Sequence, residues 1–142
     1  MFALPVPSAG MRGLRAESVS MASVLVIDDE PVIRDLIKDL FEAEGHQVST
    51  AENGHVGFEV FQELRPDVVI VDLFMPEKEG LETIQEIARL SPTTRIIAIS
   101  GGGQFGIDLL EAAQGFGASR VVREPFRMDE LLQAAQVSTV VS

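Results

Sequence analysis

Four side chains in this sequence have the types and spacing to share one piece of chemistry. Asp28 and Asp29 stand side by side, Asp72 ends a run of valine and isoleucine, and Ser100 precedes Gly101–Gly103. Each follows a short β-branched stretch, so each is expected just beyond a strand, where loops gather at the carboxyl edge of a sheet. Three carboxylates meeting there would repel one another unless a cation or protons compensated. A hard divalent ion does so directly: magnesium prefers oxygen ligands, keeps several waters and takes one or two protein carboxylates. A carboxylate beside such an ion can attack phosphorus and form an acyl phosphate, because the charge on the moving group is neutralised. The Ser100 hydroxyl could then donate a hydrogen bond to a phosphoryl oxygen. Taken singly, Asp28 and Asp29 read as acids favouring the helix that starts near Pro31, and Ser100 reads as a turn residue. The convergence carries the inference.

The elements that must achieve this convergence are legible as an alternation. Ser23–Ile27, Asp67–Val71, Arg95–Ile99 and Ser119–Arg123 are strand-length and rich in valine and isoleucine, and Gln47–Ala51 is a weaker fifth. Near-continuous apolar runs among them suit strands covered on both faces. Between them run helical stripes. Val32, Ile33, Leu36, Ile37, Leu40 and Phe41 form the first, stopped by Gly45. Val56, Val60 and Leu64 form the second, Leu81, Ile84 and Ala88 the third. Leu109, Leu110, Ala113 and Phe116 form the fourth, closed by Gly117, and Met128, Leu131, Leu132 and Ala135 the last. Five strands alternating with five helices predict an α/β, doubly wound parallel sheet with right-handed crossovers, in the flavodoxin-like order 2-1-3-4-5.

Composition sets the bounds. The 142 residues suffice for one hydrophobic core, and 46% apolar with 23% charged residues is ordinary for a globular protein. With 22 acidic and 11 basic side chains the net charge is −11, so direct nucleic-acid binding is not expected. No apolar run reaches membrane-spanning length, and no membrane partner is expected. Cysteine is absent, which rules out disulfides and thiolate metal sites and fits a cytoplasmic setting. Residues 1–20, broken by Pro5, Pro7, Gly10 and Gly13, read as a flexible N-terminal extension or leader, and 21–142 as the domain proper.

Several segments resemble the receiver domain of response regulators in two-component signalling. They are VLVIDDEP at 24–31, PDVVIVDLFMP at 66–76 continuing to Gly80 and Leu81, IIAIS at 96–100, Gly117-Ala118 and Pro125-Phe126. The resemblance covers about residues 23–137. It implies that Asp72 is the phosphoacceptor, that Asp28 and Asp29 bind Mg²⁺ together with Asp72 and the backbone carbonyl of Phe74, and that Ser100 is the switching hydroxyl. It implies a phosphoryl donor, the phosphohistidine of a sensor histidine kinase or histidine phosphotransfer protein, and a downstream protein target. The only catalysis implied is the domain's own phosphotransfer and dephosphorylation. Because the chain stops soon after the fifth helix, output is expected through association with another protein. The sequence carries no signal for oligomeric state.

Two positions depart from the family pattern. Glu124 stands where the family usually has lysine, and places another negative charge near a negative group. Arg123, Lys78, a second cation or a proton could compensate, or Glu124 could turn to solvent. Val121 replaces an aromatic residue that usually rotates on activation, so the signal would have to run instead through the loop at Gly101–Gly103 and the helix after it.

Other readings compete. Gly101, Gly103 and Gly106 spell a dinucleotide-binding motif, with Glu124 as its ribose-binding acid, but this leaves Asp28, Asp29 and Asp72 without a role. A receiver-like module could bind partners through its fourth helix and fifth strand without phosphorylation. Arg120, Arg123 and Arg127 could form an anion site or simply neutralise neighbouring acids. A magnesium-dependent hydrolase would need a second acid where Phe74 stands. His46 and His55 read as surface residues, and Phe74 as a shield that slows water's attack on an acyl phosphate.

Overall fold

The structure is a computed structural model, described here for residues 21–73, 75, 79–100 and 106–135. β-Branched runs become strands and amphipathic stripes become helices in strict alternation: β1 (Ser23–Ile27), α1 (Pro31–Ala43), β2 (Gln47–Ala51), α2 (Gly54–Leu64) and β3 (Val68–Asp72). There follow α3 (Glu79–Leu90), β4 (Arg95–Ser100), α4 (Gly106–Phe116), β5 (Arg120–Arg123) and α5 (Met128–Ala135). The sheet order is β2-β1-β3-β4-β5 with every neighbouring pair parallel, which is the expected 2-1-3-4-5 order.

Alternate residues of the central strands feed two cores, one on each face of the sheet. Val24, Val26, Val68, Ile70, Ile97 and Ile99 pack with Ile37 and Phe41 of α1 and Leu131 and Ala134 of α5. Leu25, Ile27, Val69, Val71, Ile96 and Ala98 pack with Phe61 of α2, Leu81, Ile84 and Ile87 of α3 and Ala113 of α4. Asn53 starts α2 by accepting a 2.8 Å hydrogen bond from the Val56 amide. Gly45 follows α1 at φ 95°, a conformation that spares glycine the strain other residues would meet.

Four strand boundaries differ from expectation by one residue. Asp67 lies before β3 rather than in it, because its carboxylate accepts from the Ser23 amide at 3.0 Å and locks the strand entry. Asp72 instead completes β3, in register with Ile99. β4 extends to Ser100, which pairs with Arg123, while Ser119 sits outside β5 and holds Ile96 through its hydroxyl and amide.

The stripes are correct in phase and partly wrong in membership. The buried face of α2 is Gly54, Gly57 and Phe61, with Val56 and Val60 half-buried and Leu64 exposed. Gly57 must lack a side chain there, since a Cβ would lie 2.5 Å from Ile27 Cδ1. On α1, Ile37 and Phe41 are buried, whereas Val32 is 76% and Leu36 43% exposed. The expected Leu109 and Leu110 contacts lie outside the described side chains.

Candidate functional site

β1 and β3 are adjacent, so their carboxyl ends bring Asp28, Asp29 and Asp72 together. One carboxylate oxygen from each lies within 4.8 Å of the others. Asp28 and Asp72 are buried, while Asp29 faces solvent. Local bonds fix this geometry. The Asp28 amide donates to the Ala51 carbonyl at 3.1 Å, tying the strand end to β2. Its Oδ1 accepts from the Glu30 amide at 2.9 Å, an Asx-type turn that swings the chain into α1. Arg34, in the first turn of α1, donates from Nη1 to the Asp28 carbonyl at 2.8 Å.

Electrostatics make this arrangement incomplete by itself. Burial pushes the Asp28 carboxyl above its ordinary range. The hydrogen bonds from the Glu30 amide and with the Asp72 side chain oppose the rise, and the charges of Asp29 and Glu30 add to it. Buried carboxylates this close are costly unless paired. An oxygen-only cluster with one solvent-facing member fits a hard divalent cation that keeps several waters. Asp28, Asp29 and Asp72 would hold it; the Phe74 carbonyl, the fourth expected ligand, lies outside the described residues.

Ser100 ends the strand next to β3, one residue beyond the Ile99 that pairs with Asp72. The Leu73 amide donates to the Ile99 carbonyl at 2.8 Å, which ties the two strand ends together just past Asp72. The Ser100 carbonyl accepts from the Glu124 amide at 2.8 Å, extending the same edge to β5. Glu124, joined to Pro125 by a cis peptide, does not turn fully to solvent. Its side chain lines a groove of about 490 Å³ with Ile33, Leu36, Pro125, Phe126 and Met128. Burial and then the charge of Glu30 raise its pKa. Among the described residues its carboxylate makes no ion pair. Arg123 is exposed and leaves it unpaired, and Lys78 lies outside the described residues.

Arg34 was not among the candidate residues read from the sequence. Its signal was present, however, as the basic side chain nearest the acidic pair along the chain. Gly80 was read only as part of a motif, yet α3 packs so tightly there that a Cβ would sit 2.6 Å from the Asp72 carbonyl oxygen. Of the three arginines considered for an anion site, Arg127 is bound to Asp129 at 2.9 Å, and Arg120 and Arg123 are exposed. His46 Nδ1 accepts from the Ala22 amide at 3.0 Å, and the exposed His55 lies 3.6 Å from Glu59. Both histidines are therefore away from the acidic cluster. Of the glycine motif, Gly101 and Gly103 lie outside the described residues and Gly106 begins α4.

A parallel five-stranded sheet with paired acids at the end of β1 and a third at the end of β3 defines a receiver. The response regulator receiver domain matches residues 24–136, and the chain belongs to that family of two-component signalling domains. Among individual relatives, the chemotaxis protein CheY of Thermotoga maritima is 35% identical over 112 residues, covering 78% of this chain and 92% of that protein. Sporulation initiation phosphotransferase F of Bacillus subtilis is 28% identical over 113 residues, covering 80% and 90%. A receiver domain protein from Clostridium thermocellum superposes with a TM-score of 0.75 at 35% identity, covering 81% of this chain and 91% of the other. NtrX from Brucella abortus superposes with a TM-score of 0.74 at 30% identity; the match takes in 82% of this chain and 26% of that longer one. Among the described residues no helix is long and apolar enough to cross a membrane.

Proposed function

We propose that residues 21–142 form a single-domain response regulator, acting in the cytoplasm, whose Asp72 accepts a phosphoryl group. The donor is a phosphohistidine on a sensor histidine kinase or histidine phosphotransfer protein, and the output is contact with a downstream protein. The observation that carries this reading is the 4.8 Å convergence of Asp28, Asp29 and Asp72 at the carboxyl edge of the sheet.

An Asp72 carboxylate oxygen attacks phosphorus, the phosphorus–nitrogen bond of the donor breaks, and the leaving imidazole nitrogen takes up a proton. Shut-off is a second displacement at the same phosphorus: water attacks, the acyl-phosphate bond breaks, and Asp72 is regenerated as carboxylate with release of inorganic phosphate. Mg²⁺, when bound, neutralises the charge on the transferring group. Asp28 and Asp29 would hold that ion, and Arg34 fixes the Asp28 carbonyl that lies between the two acids. Ser100, on the neighbouring strand end, donates its hydroxyl proton to a phosphoryl oxygen. Phe74, which lies outside the described residues, would offer its carbonyl as a further ligand, as the family resemblance implies.

Incubation with acetyl phosphate and magnesium, followed by intact-mass and peptide mapping, should place one phosphoryl group on Asp72. Equal incorporation in Asp72→Ala would overturn the assignment. A second reading is favoured by Glu124, a half-buried carboxylate that no described cation neutralises. On that reading the receiver is an interaction module that works without phosphorylation. Partner binding unchanged by Asp72→Ala, with no acyl phosphate detected, would establish it.

A further inference from the structure

Among the described residues seven large apolar side chains are exposed, and four of them stand at one end of the molecule. Leu64, Leu90 and Phe116 are each the last residue of a helix, α2, α3 and α4. These helices share one core on the same face of the sheet. Each runs back from the carboxyl edge, so their last turns finish at the amino edge, opposite the acidic cluster. Backbone bonds fix the alignment there. The Asp67 amide donates to the Ser23 carbonyl at 2.9 Å, the Arg95 amide to the Asp67 carbonyl at 3.1 Å, and the Ser119 amide to the Ile96 carbonyl at 2.7 Å. Gly117, next to Phe116, approaches α3 so closely that a Cβ would lie 2.4 Å from that of Ala88. The fourth side chain is Met21, just before β1. A single exposed apolar side chain is ordinary, but a row of them at one pole marks a contact surface.

The chain enters the fold at this pole, and the point of entry is fixed. The Ala22 amide donates to His46 Nδ1 at 3.0 Å and its carbonyl accepts from the Gln47 amide at 3.1 Å. The Ser23 amide donates to Asp67 Oδ2 at 3.0 Å, three positions beyond Leu64. Residues 1–20 are thereby tethered beside the apolar row. They include Phe2, Leu4 and Val6, and they carry Arg12 and Arg15 against one acid, Glu17. We propose that residues 1–20 cover the amino pole, with Phe2, Leu4 and Val6 against Leu64, Leu90 and Phe116. Packed helices lie about 8–10 Å apart, so the row spans roughly 20 Å. An extended chain covers about 3.3 Å per residue, so about six residues cross it and twenty are ample. Pro5 and Pro7 have no amide proton to leave without a partner in an apolar contact. A basic segment also suits a domain that is otherwise strongly acidic, whereas a second copy would bring together two chains of net charge −11. The tether supplies an effective concentration on the order of millimolar, so a contact too weak to hold a separate peptide is still filled.

The chain has no cysteine, so Ser8→Cys gives a single attachment point for a nitroxide on the ¹⁵N-labelled full chain. The unpaired electron should erase the amide peaks around Leu64, Leu90 and Phe116 and spare those around Asp28 and Asp72 at the opposite edge. Phe2→Ser combined with Leu4→Ser, in the same labelled chain, should restore the lost peaks. Leu64→Ser, at a position 54% exposed, should restore part of them. Val32→Ser makes a similar change at an exposed position on α1, across the sheet, and should restore none. The proposal is overturned by peak loss spread evenly over the surface, by loss at the pole that persists in Phe2→Ser with Leu4→Ser, or by equal restoration in Val32→Ser and Leu64→Ser. Peak loss in unmodified ¹⁵N chains mixed with nitroxide-bearing ¹⁴N chains would also overturn it, in favour of a second copy at the pole. No phosphoryl donor or magnesium enters these measurements, so their outcome is independent of the role of Asp72.

Discussion

Arg34 and Glu124 show how single side chains set the working range of the acidic cluster. The Arg34 guanidinium reaches back from the first turn of α1 to the Asp28 carbonyl at 2.8 Å, so it braces the strand end from which both acids project. Hydrogen bonds to charged groups contribute about 1.5–3 kcal/mol when well shielded, and less where water competes. Arg34→Gln should therefore cost about 1 kcal/mol in urea unfolding and weaken magnesium uptake several-fold by calorimetry, with Arg34→Lys recovering part of both. Glu124 acts in the opposite sense. Its folded pKa is raised, so the native state binds this proton more tightly than the unfolded chain does. That preference favours folding below the ordinary glutamate range and is lost as pH rises through the raised value. Glu124→Gln should accordingly raise Tm at neutral pH and flatten the decline in stability on the alkaline side of the glutamate range. A Tm at pH 7 lower than that of the parent would contradict the placement of this carboxylate in the groove. The sequence marked Glu124 as anomalous but could not aim it. Its direction depends on the turn after β5 and on Glu30, which lies 94 positions away along the chain.

Elements legible in the sequence were those whose side chains announce a two-sided burial. The valine and isoleucine runs of β1, β3 and β4 suited strands covered on both faces, and the acids that follow them were expected at the sheet edge. Faces built from glycine were not legible, because absence of a side chain leaves no hydrophobic period. Gly57 admits Ile27 against α2, and Gly80 admits the Asp72 carbonyl against α3. These positions predict stability effects of opposite sign to an ordinary helical glycine. Gly115 has nothing within 4 Å of where its Cβ would stand, so Gly115→Ala should stabilise α4 by about 0.5–1 kcal/mol, through helix propensity alone. Gly80→Ala would set a methyl 2.6 Å from backbone oxygen and 3.0 Å from the Leu73 Cα, atoms that cannot step aside as a side-chain tip could. A loss of about 1–3 kcal/mol is expected, and phosphorylation of Asp72 should fall further than stability does, because the displaced atoms belong to the phosphoacceptor itself. Parallel denaturation curves and acetyl-phosphate labelling would separate the two losses.

At the scale of the molecule, the sheet edge stores repulsion that a cation can release. Asp28 and Asp72 are both buried within reach of Asp29, in a chain already carrying a net charge of −11. Without a cation, burial keeps the Asp28 pKa high, and folding is linked to proton binding at the cluster. A divalent ion that binds only the folded state stabilises it by mass action, about 2.7 kcal/mol at a concentration one hundred times its Kd. Protons and the ion compete for the same oxygens, so the gain must depend on pH in a definite direction. Magnesium should raise Tm at pH 7, and the rise should shrink as pH falls through the raised Asp28 value. Asp29→Asn should weaken the effect, whereas Asp28→Asn should abolish most of it while raising the stability of the magnesium-free protein. That inverse pairing distinguishes a coordinating cluster from acids that merely cap α1: loss of a capping acid would lower stability with or without the ion. Thermal melts of the three proteins across pH, with and without magnesium, would therefore decide whether the convergence of these carboxylates is a binding site or an incidental feature of the helix start.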